Sequence, residues 1–311
     1  MKVFDKIENC CKLTNPVVTV GTYDGVHLGH KEILAKLKSE ANKFDGESIV
    51  ISFWPHPRII LNKDAGKLRL LNNLKEKINL LEEYGIDNLL LISFTKEFSN
   101  QDPQNFIKNL LIEKIGIKSI VVGYDHKFGK DRQGTIDFLN KNSKKHNFEV
   151  HKVEAFNIQD VTISSSKIRK ALQAGEIADA NKMLGYEYNF SGKVVKGIGL
   201  GKTLDFPTAN IIPDNGNKLI PKDGIYIVSI ILNKQKYYGI LNVGENPTIL
   251  EKARSIEVFI FDFDENIYDS EIKINFLKRI REEQKFDNVE LLKSQLKSDQ
   301  KTALEFFRNL K

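Results

Sequence analysis

Two histidines three residues apart, His27 and His30, stand in the stretch Gly21-Thr-Tyr-Asp-Gly-Val-His-Leu-Gly-His30. A β-branched run precedes it and a helical pattern follows it. Gly25 and Gly29 let the backbone turn and approach a ligand closely. A helix start offers free N–H groups and the positive end of a dipole to a phosphate. At this spacing both imidazoles face one side of the first helical turn. Both can then donate hydrogen bonds to phosphoryl oxygens as charge builds in a transition state. All six histidines lie within the first 151 residues, so acid–base chemistry in the second half must use carboxylates, Lys or Tyr.

A second phosphate signal is Ile163-Ser-Ser-Ser-Lys-Ile-Arg169. Hydroxyls at a helix start cap it and can also bind phosphate. Lys167 and Arg169 add positive charge where the helix dipole disfavours it, a conflict that a bound anion resolves. Two loops, Phe53-Trp-Pro-His-Pro-Arg58 and Gly123-Tyr-Asp-His-Lys-Phe-Gly-Lys-Asp-Arg132, each follow a strand pattern. Ligands of open α/β sheets collect at the carboxyl ends of strands.

In the second half, Gly197-Ile-Gly-Leu-Gly-Lys-Thr203 is not a P-loop. The Gly required six residues before the Lys is replaced by Lys196, and no β-α unit follows. Gly199, Gly201 and Lys202 still form an N–H-rich strap suited to phosphates. Leu204-Asp-Phe-Pro-Thr-Ala-Asn210 follows directly. Thr208 and Asn210, alternate residues of a strand, present two oxygens to one side, and hard oxygens suit Mg²⁺ carried by ATP. With no His or Cys in this half, Glu257 in Ser255-Ile-Glu-Val-Phe-Ile-Phe is the candidate base. A carboxylate sharing a strand face with Phe259 and Phe261 is suited to proton uptake.

The elements that must position these groups fall into two patterns. Strand and helix signals alternate at 17–21, 29–43, 48–53, 71–84, 88–94, 103–115, 118–123, 135–145, 148–155 and 164–174. Such alternation predicts a parallel, Rossmann-like sheet covered on both faces. From about Phe190 strands dominate, with hairpins expected at 224–243 and at 255–281 and a helix at 287–310. That predicts an antiparallel β-barrel with a C-terminal helix. The expected domains are 1–183 and 184–311.

Apolar residues are 41% and charged residues 28% of the 311, an ordinary globular mix, and the net charge is +6. The Lys excess is spread among many acids, which argues for a solvated surface and against nucleic acid. No apolar run reaches the ~20 residues of a membrane span, and the N-terminus lacks a signal-peptide core. The expectation is a cytoplasmic protein with no membrane or nucleic-acid partner, a monomer or weak homo-oligomer. Cys10 and Cys11 are the two cysteines and form no metal or disulfide pattern.

With these motifs in hand, residues 14–184 resemble the adenylyltransferase half of the bacterial bifunctional riboflavin kinase/FAD synthetase family, within the nucleotidylyltransferase superfamily. The resemblance rests on GTYDGVHLGH, FWPHPR, GYDHKFG and SSSKIR. It implies that FMN phosphate attacks the α-phosphate of ATP, giving FAD and pyrophosphate with Mg²⁺. It also implies that Gly21, Tyr23, His27, His30, Asp125, Ser164, Ser165 and Arg169 line the ATP site. Residues 184–311 resemble riboflavin kinase through GIGLGKTLDFPTANI, DGIYIV, GILNVGENPTI, SIEVFIFDF and FLKRIREEQKFDNVELL. That resemblance implies γ-phosphate transfer from ATP to the ribityl hydroxyl of riboflavin, with Glu257 as base, Thr208 and Asn210 on Mg-ATP, and Arg281 near the flavin. Tyr23, Asp125, Lys202, Asp205 and Phe259 replace the family's usual Phe, Asn, Arg, Gly and His. The alternative reading is a monofunctional adenylyltransferase carrying a non-catalytic flavin-binding barrel.

Overall fold

The structure is a computed structural model that describes residues 1–10, 13–61, 68–158, 161–197, 206–245 and 254–309. It separates into two compact units, Met1–Ser165 and Ser166–Lys311.

The first unit is a six-stranded parallel sheet of β1 (Lys2–Phe4), β2 (Val17–Val20), β3 (Ser48–Trp54), β4 (Asn88–Ser93), β5 (Ser119–Gly123) and β6 (Glu149–Val153). Their spatial order is β1-β4-β3-β2-β5-β6. The strands are Val- and Ile-rich because both faces are buried. Val18, Val20, Ile49 and Ile51 enter one core, and Val17, Val50, Leu89 and Val121 enter the other.

The connecting helices begin with α1 (Leu28–Lys43), α2 (Pro57–Leu61), α3 (Leu74–Glu83) and α4 (Lys96–Ser99). The next segment, α5, opens at Pro103–Asn105 and continues as a π-helix over Phe106–Ile115, and α6 is Ile136–His146. Leu34, Leu37 and Ala41 of α1 pack in the second core, and Phe106, Ile107, Leu110 and Leu111 pack in the first. Across the sheet edge, Glu40 of α1 takes Lys36 at 2.6 Å and Lys43 at 2.8 Å, and faces His151 of β6 at 3.4 Å. A small hairpin, β7 (Asn157–Ile158) and β8 (Val161–Thr162), follows β6.

The second unit begins within α7 (Ser165–Ala174), continues through α8 (Ile177–Leu184) and closes into a barrel. Its strands are β9 (Asn189–Val195), β10 (Thr208–Pro213), β11 (Gly224–Leu232), β12 (Gln235–Glu245), β13 (Arg254–Ile260) and β14 (Glu271–Arg281). The closed order is β10-β13-β12-β11-β14-β9, with every pairing antiparallel. Tyr226, Val228, Phe276, Leu241 and Val258 are fully buried. Outside the barrel, α9 (Val289–Arg308) brings Ala303, Phe306 and Phe307 against Ile225, Ile227 and Ile240. The two predicted classes, parallel α/β and antiparallel barrel with a C-terminal helix, are therefore both present.

Four local expectations need correction. The β11–β12 hairpin exists, with Asn233 and Lys234 both at positive φ, as a tight primed turn requires. The expected second hairpin does not: β13 pairs with β10 and β12, whereas β14 pairs with β11 and β9. The residues between them cross an end of the barrel. The 103–115 helix is largely π-bonded. The 71–84 helix starts later, because Asn73 and Glu76 form a capping box that fixes its first turn at Leu74. Strand β1 adds an edge that sequence periodicity did not show.

Candidate active sites

The strand order of the first unit reverses beside β2. The chain runs outward through β3 and β4, then returns to place β5 against the other side of β2. The loops after β2 and β5 therefore flank the switch point, where an open sheet leaves a crevice.

The β2 loop is a buried turn. Tyr23, Gly25 and Val26 have φ of 49°, 89° and 34°. Tyr23 stands on its phenol, which hydrogen-bonds the Thr19 hydroxyl at 2.7 Å, and burial raises its pKa above the ordinary value. Asp24 accepts the N–H groups of Leu71 and Asn72 at 2.9 and 3.3 Å. Lys77 of α3, 2% exposed, donates to the Thr22 carbonyl at 2.7 Å. A side chain at Gly21 would meet the Tyr23 ring.

The turn ends at His27, the N-cap of α1, whose Nδ1 accepts the His30 N–H at 3.4 Å. The two imidazoles stack at 3.7 Å with planes 15° apart. Burial, then the neighbouring His27, then Lys77 hold the His30 pKa well below its ordinary value. His30 Nδ1 is sealed from solvent and has no hydrogen-bond partner among the described residues. Gly29 fits because a side chain there would press on His27. The sequence-predicted pair is thus assembled at the N-terminus of α1, with the two rings stacked and the His30 pKa lowered. That arrangement suits a polyphosphate.

The other predicted residues of this site distribute as follows. Ser165 Oγ donates to the Asp24 carbonyl at 2.8 Å, tying the start of α7 to the β2 turn, and Ser164 precedes it half-buried. Asp125 is exposed on the β5 loop and lines a cavity of about 470 Å³ with His126, Lys127, Thr135, Asn140 and Lys152. His126 stacks on Phe128, and burial pushes its pKa down to about 4. Arg169 is buried on α7, in the second unit. Sequence reasoning missed Lys77, Asp24 and Asn72. The signal available was a Lys four residues before Leu81, on the buried stripe of an amphipathic helix.

In the second unit, register sets the chemistry. On β13, Ile256, Val258 and Ile260 turn into the barrel, so Glu257 and Phe259 stand on its outer face. Asn210 of β10 and Asn242 of β12 lie directly opposite Glu257 on either side. One step along, Thr208 lies opposite Phe259, and its hydroxyl donates to Glu257 Oε2 at 3.2 Å. Thr208, Asn210 and Glu257, assigned separately from sequence, therefore form one set. A side chain at Gly197 would collide with the Asn210 amide, so the strand leaving β9 runs against it. Gly199, Gly201, Lys202 and Asp205 lie outside the described residues.

Asn242, which sequence reasoning passed over, has a buried Oδ1 without a hydrogen-bond partner among the described residues. The same transverse row continues through Ile225 to Arg281 on β14, three strands around the closed barrel from Glu257. The Arg281 guanidinium makes a bidentate pair with Asp299 of α9, at 3.0 and 2.7 Å, and Asp299 is 2% exposed.

A helix start carrying two histidines at a sheet switch point, and an oxygen-rich set with a carboxylate on a barrel, are features suited to a nucleotide-using transferase. Two family models match the chain, FAD synthetase over residues 11–167 and riboflavin kinase over residues 184–307. Bifunctional riboflavin kinase/FMN adenylyltransferases align over nearly the full length. The protein of Listeria monocytogenes is 36% identical, covering 95% of this chain and 94% of its own. That of Bacillus subtilis is 36% identical, covering 95% and 93%. That of Escherichia coli is 35% identical, covering 94% and 92%. A crystal structure described as a macrolide-efflux protein from Streptococcus pneumoniae superposes with a TM-score of 0.88 at 32% identity, covering 97% of both chains. No helix among the described residues is long and apolar enough to cross a membrane. The chain belongs to the bifunctional riboflavin kinase/FMN adenylyltransferase family. Both halves match a catalytic family, so the monofunctional alternative is left without support.

Proposed function

We propose that the family's two reactions run at the two sites described, each with its own ATP. At the barrel, Glu257 takes the proton of the ribityl hydroxyl of riboflavin. That oxygen bonds to the γ-phosphorus of ATP, ADP leaves, and FMN forms. At the β2 turn, a phosphate oxygen of FMN bonds to the α-phosphorus of a second ATP. The bond to the β-phosphate breaks, and FAD and pyrophosphate result. His27 and His30 donate to the phosphoryl oxygens at that step, and Gly21, Tyr23, Asp125, Ser164 and Ser165 complete the pocket. Arg169 keeps its assignment from sequence.

Mg²⁺ enters with ATP. The Thr208 hydroxyl and the Asn210 amide oxygen, on one side of β10 and flanking Glu257, offer the hard oxygens that Mg²⁺ takes. The ion would neutralise charge on the transferring phosphate. Arg281, held by Asp299, borders the flavin end of the same row, and Asn242 offers its side-chain carbonyl between. The functional boundary is placed at 183/184, so that α7 and α8 belong with the adenylyltransferase sequence. The reading requires no nucleic acid, no membrane and no more than a monomer or weak homo-oligomer in the cytoplasm.

The observation that carries this reading is the convergence on Glu257 of Asn210, its rung partner, and Thr208, its hydrogen-bond partner, in a chain that also stacks His27 on His30 at a helix start. Chromatography of flavins formed from riboflavin, ATP and Mg²⁺ tests it. FMN appearing first and FAD second is expected; FMN that never becomes FAD contradicts the adenylyltransferase assignment.

A further inference from the structure

Lys77 is out of place by the logic of its helix. It shares the buried stripe of α3 with Leu81, where an apolar residue is the default. It is 2% exposed, and lysines are almost never that buried unless paired. Yet its two hydrogen-bond acceptors, the Thr22 carbonyl at 2.7 Å and the Ser52 hydroxyl at 3.4 Å, are both neutral. The Trp54 ring, 5.6 Å away, adds a weak cation–π contact. Burial drives the Lys77 pKa down to about 8, with Asp24 opposing. The fold therefore bears a cost to keep this cation where it is.

Its position explains the cost. Thr22 opens the turn in which Tyr23 and Val26 hold positive φ. A β-branched Val in that region is a genuine outlier, and such strain persists only when the surroundings over-determine it. Four anchors do so. Tyr23 is tied to Thr19, Asp24 to the N–H groups of Leu71 and Asn72, the Asp24 carbonyl to Ser165, and the Thr22 carbonyl to Lys77. Among these only Lys77 brings positive charge. A loop that must aim N–H groups at a polyphosphate must turn its carbonyls away from it, since a carbonyl oxygen facing phosphate repels it. The Lys77 ammonium draws the Thr22 carbonyl toward α3. Its charge also reaches His30 and adds to the positive potential that an anion would meet.

We propose that Lys77 is a positioning residue for adenylyl transfer, holding the strained Gly21–His27 turn in its phosphate-receiving form and biasing the His27/His30 pair toward an anion. The proposal rests on the assignment of FAD formation to this turn. Lys77 acts through the turn and the histidines, so its loss falls on the reacting phosphates more than on nucleotide affinity.

The test uses the full chain and measures FAD formation from FMN at varied ATP. Riboflavin phosphorylation by the same preparations, and their melting temperatures, serve as controls. In Lys77→Met, kcat for FAD formation is expected to fall roughly 10- to 100-fold, as for a misplaced catalytic geometry. KM for ATP should change much less, and riboflavin phosphorylation should be unchanged. Lys77→Arg, which keeps charge and donors, should recover part of the loss. Lys77→Gln, which keeps a donor without the charge, carries the test if the Met variant does not fold. A kcat within twofold of wild type in the uncharged variant overturns the proposal. So does an equal loss in all variants that tracks a common fall in melting temperature, which would leave Lys77 merely structural. A wild-type chain that makes no FAD overturns the underlying assignment instead, and the proposal with it.

Discussion

At the scale of single residues, a few side chains take their work from their surroundings. Glu257 sits beside a hydroxyl and two amides, between Ser255 and Phe259 on the outer face of β13. Replacing it with Gln keeps the shape and removes the base, so FMN formation should fall about 100-fold or more, while FAD formation from supplied FMN persists. Steady-state rates on the two substrates check this, and an unchanged kinase rate would exclude Glu257 as base. His30→Ala should do the reverse, abolishing FAD formation and sparing the kinase. The motif residues were legible in the sequence because glycines and paired histidines leave a spacing. Lys77 was not, because a lysine on a helix reads as solvated until a neighbouring turn is seen to enclose it. Asn242 was hidden for a similar reason: only strand register shows that it faces Glu257.

Secondary-structure elements carry a different set of consequences. Between α1 and β6, burial pushes the Glu40 pKa up, but hydrogen bonds from Lys36 and Lys43 and the charge of His151 outweigh it and bring it from 4.5 to about 2. A carboxylate depressed in the folded state stabilises the fold above its unfolded pKa and loses that contribution as pH falls. The contribution should therefore disappear between pH 4.5 and about 2. Glu40→Gln should flatten that limb of a denaturation-versus-pH curve. At the barrel, Asp299 is buried against Arg281. Asp299→Ala should cost about 3–5 kcal/mol by stranding the guanidinium, and urea denaturation would read it. Element types were largely predictable, since alternation of β and α and strings of β-branched residues follow from two-sided burial. The failed hairpin between β13 and β14 shows the limit. Two strands joined by a polar connection read as neighbours, but barrel closure gives each of them other partners.

For the whole molecule, the central claim is one chain with two ATP-consuming sites in series, the product of one being the substrate of the other. The two halves were separable in the sequence because histidine usage and hydrophobic period change together. Their independence gives the claim its edge: damage at Glu257 must be bypassed by supplied FMN, and damage at His30 must leave FMN accumulating. The most direct measurement is a time course of flavins, resolved by chromatography, after the pure chain meets riboflavin, ATP and Mg²⁺. FMN should rise and then decline as FAD replaces it, with pyrophosphate formed alongside. Accumulation of FMN with no FAD, or no consumption of riboflavin at all, would contradict the central claim.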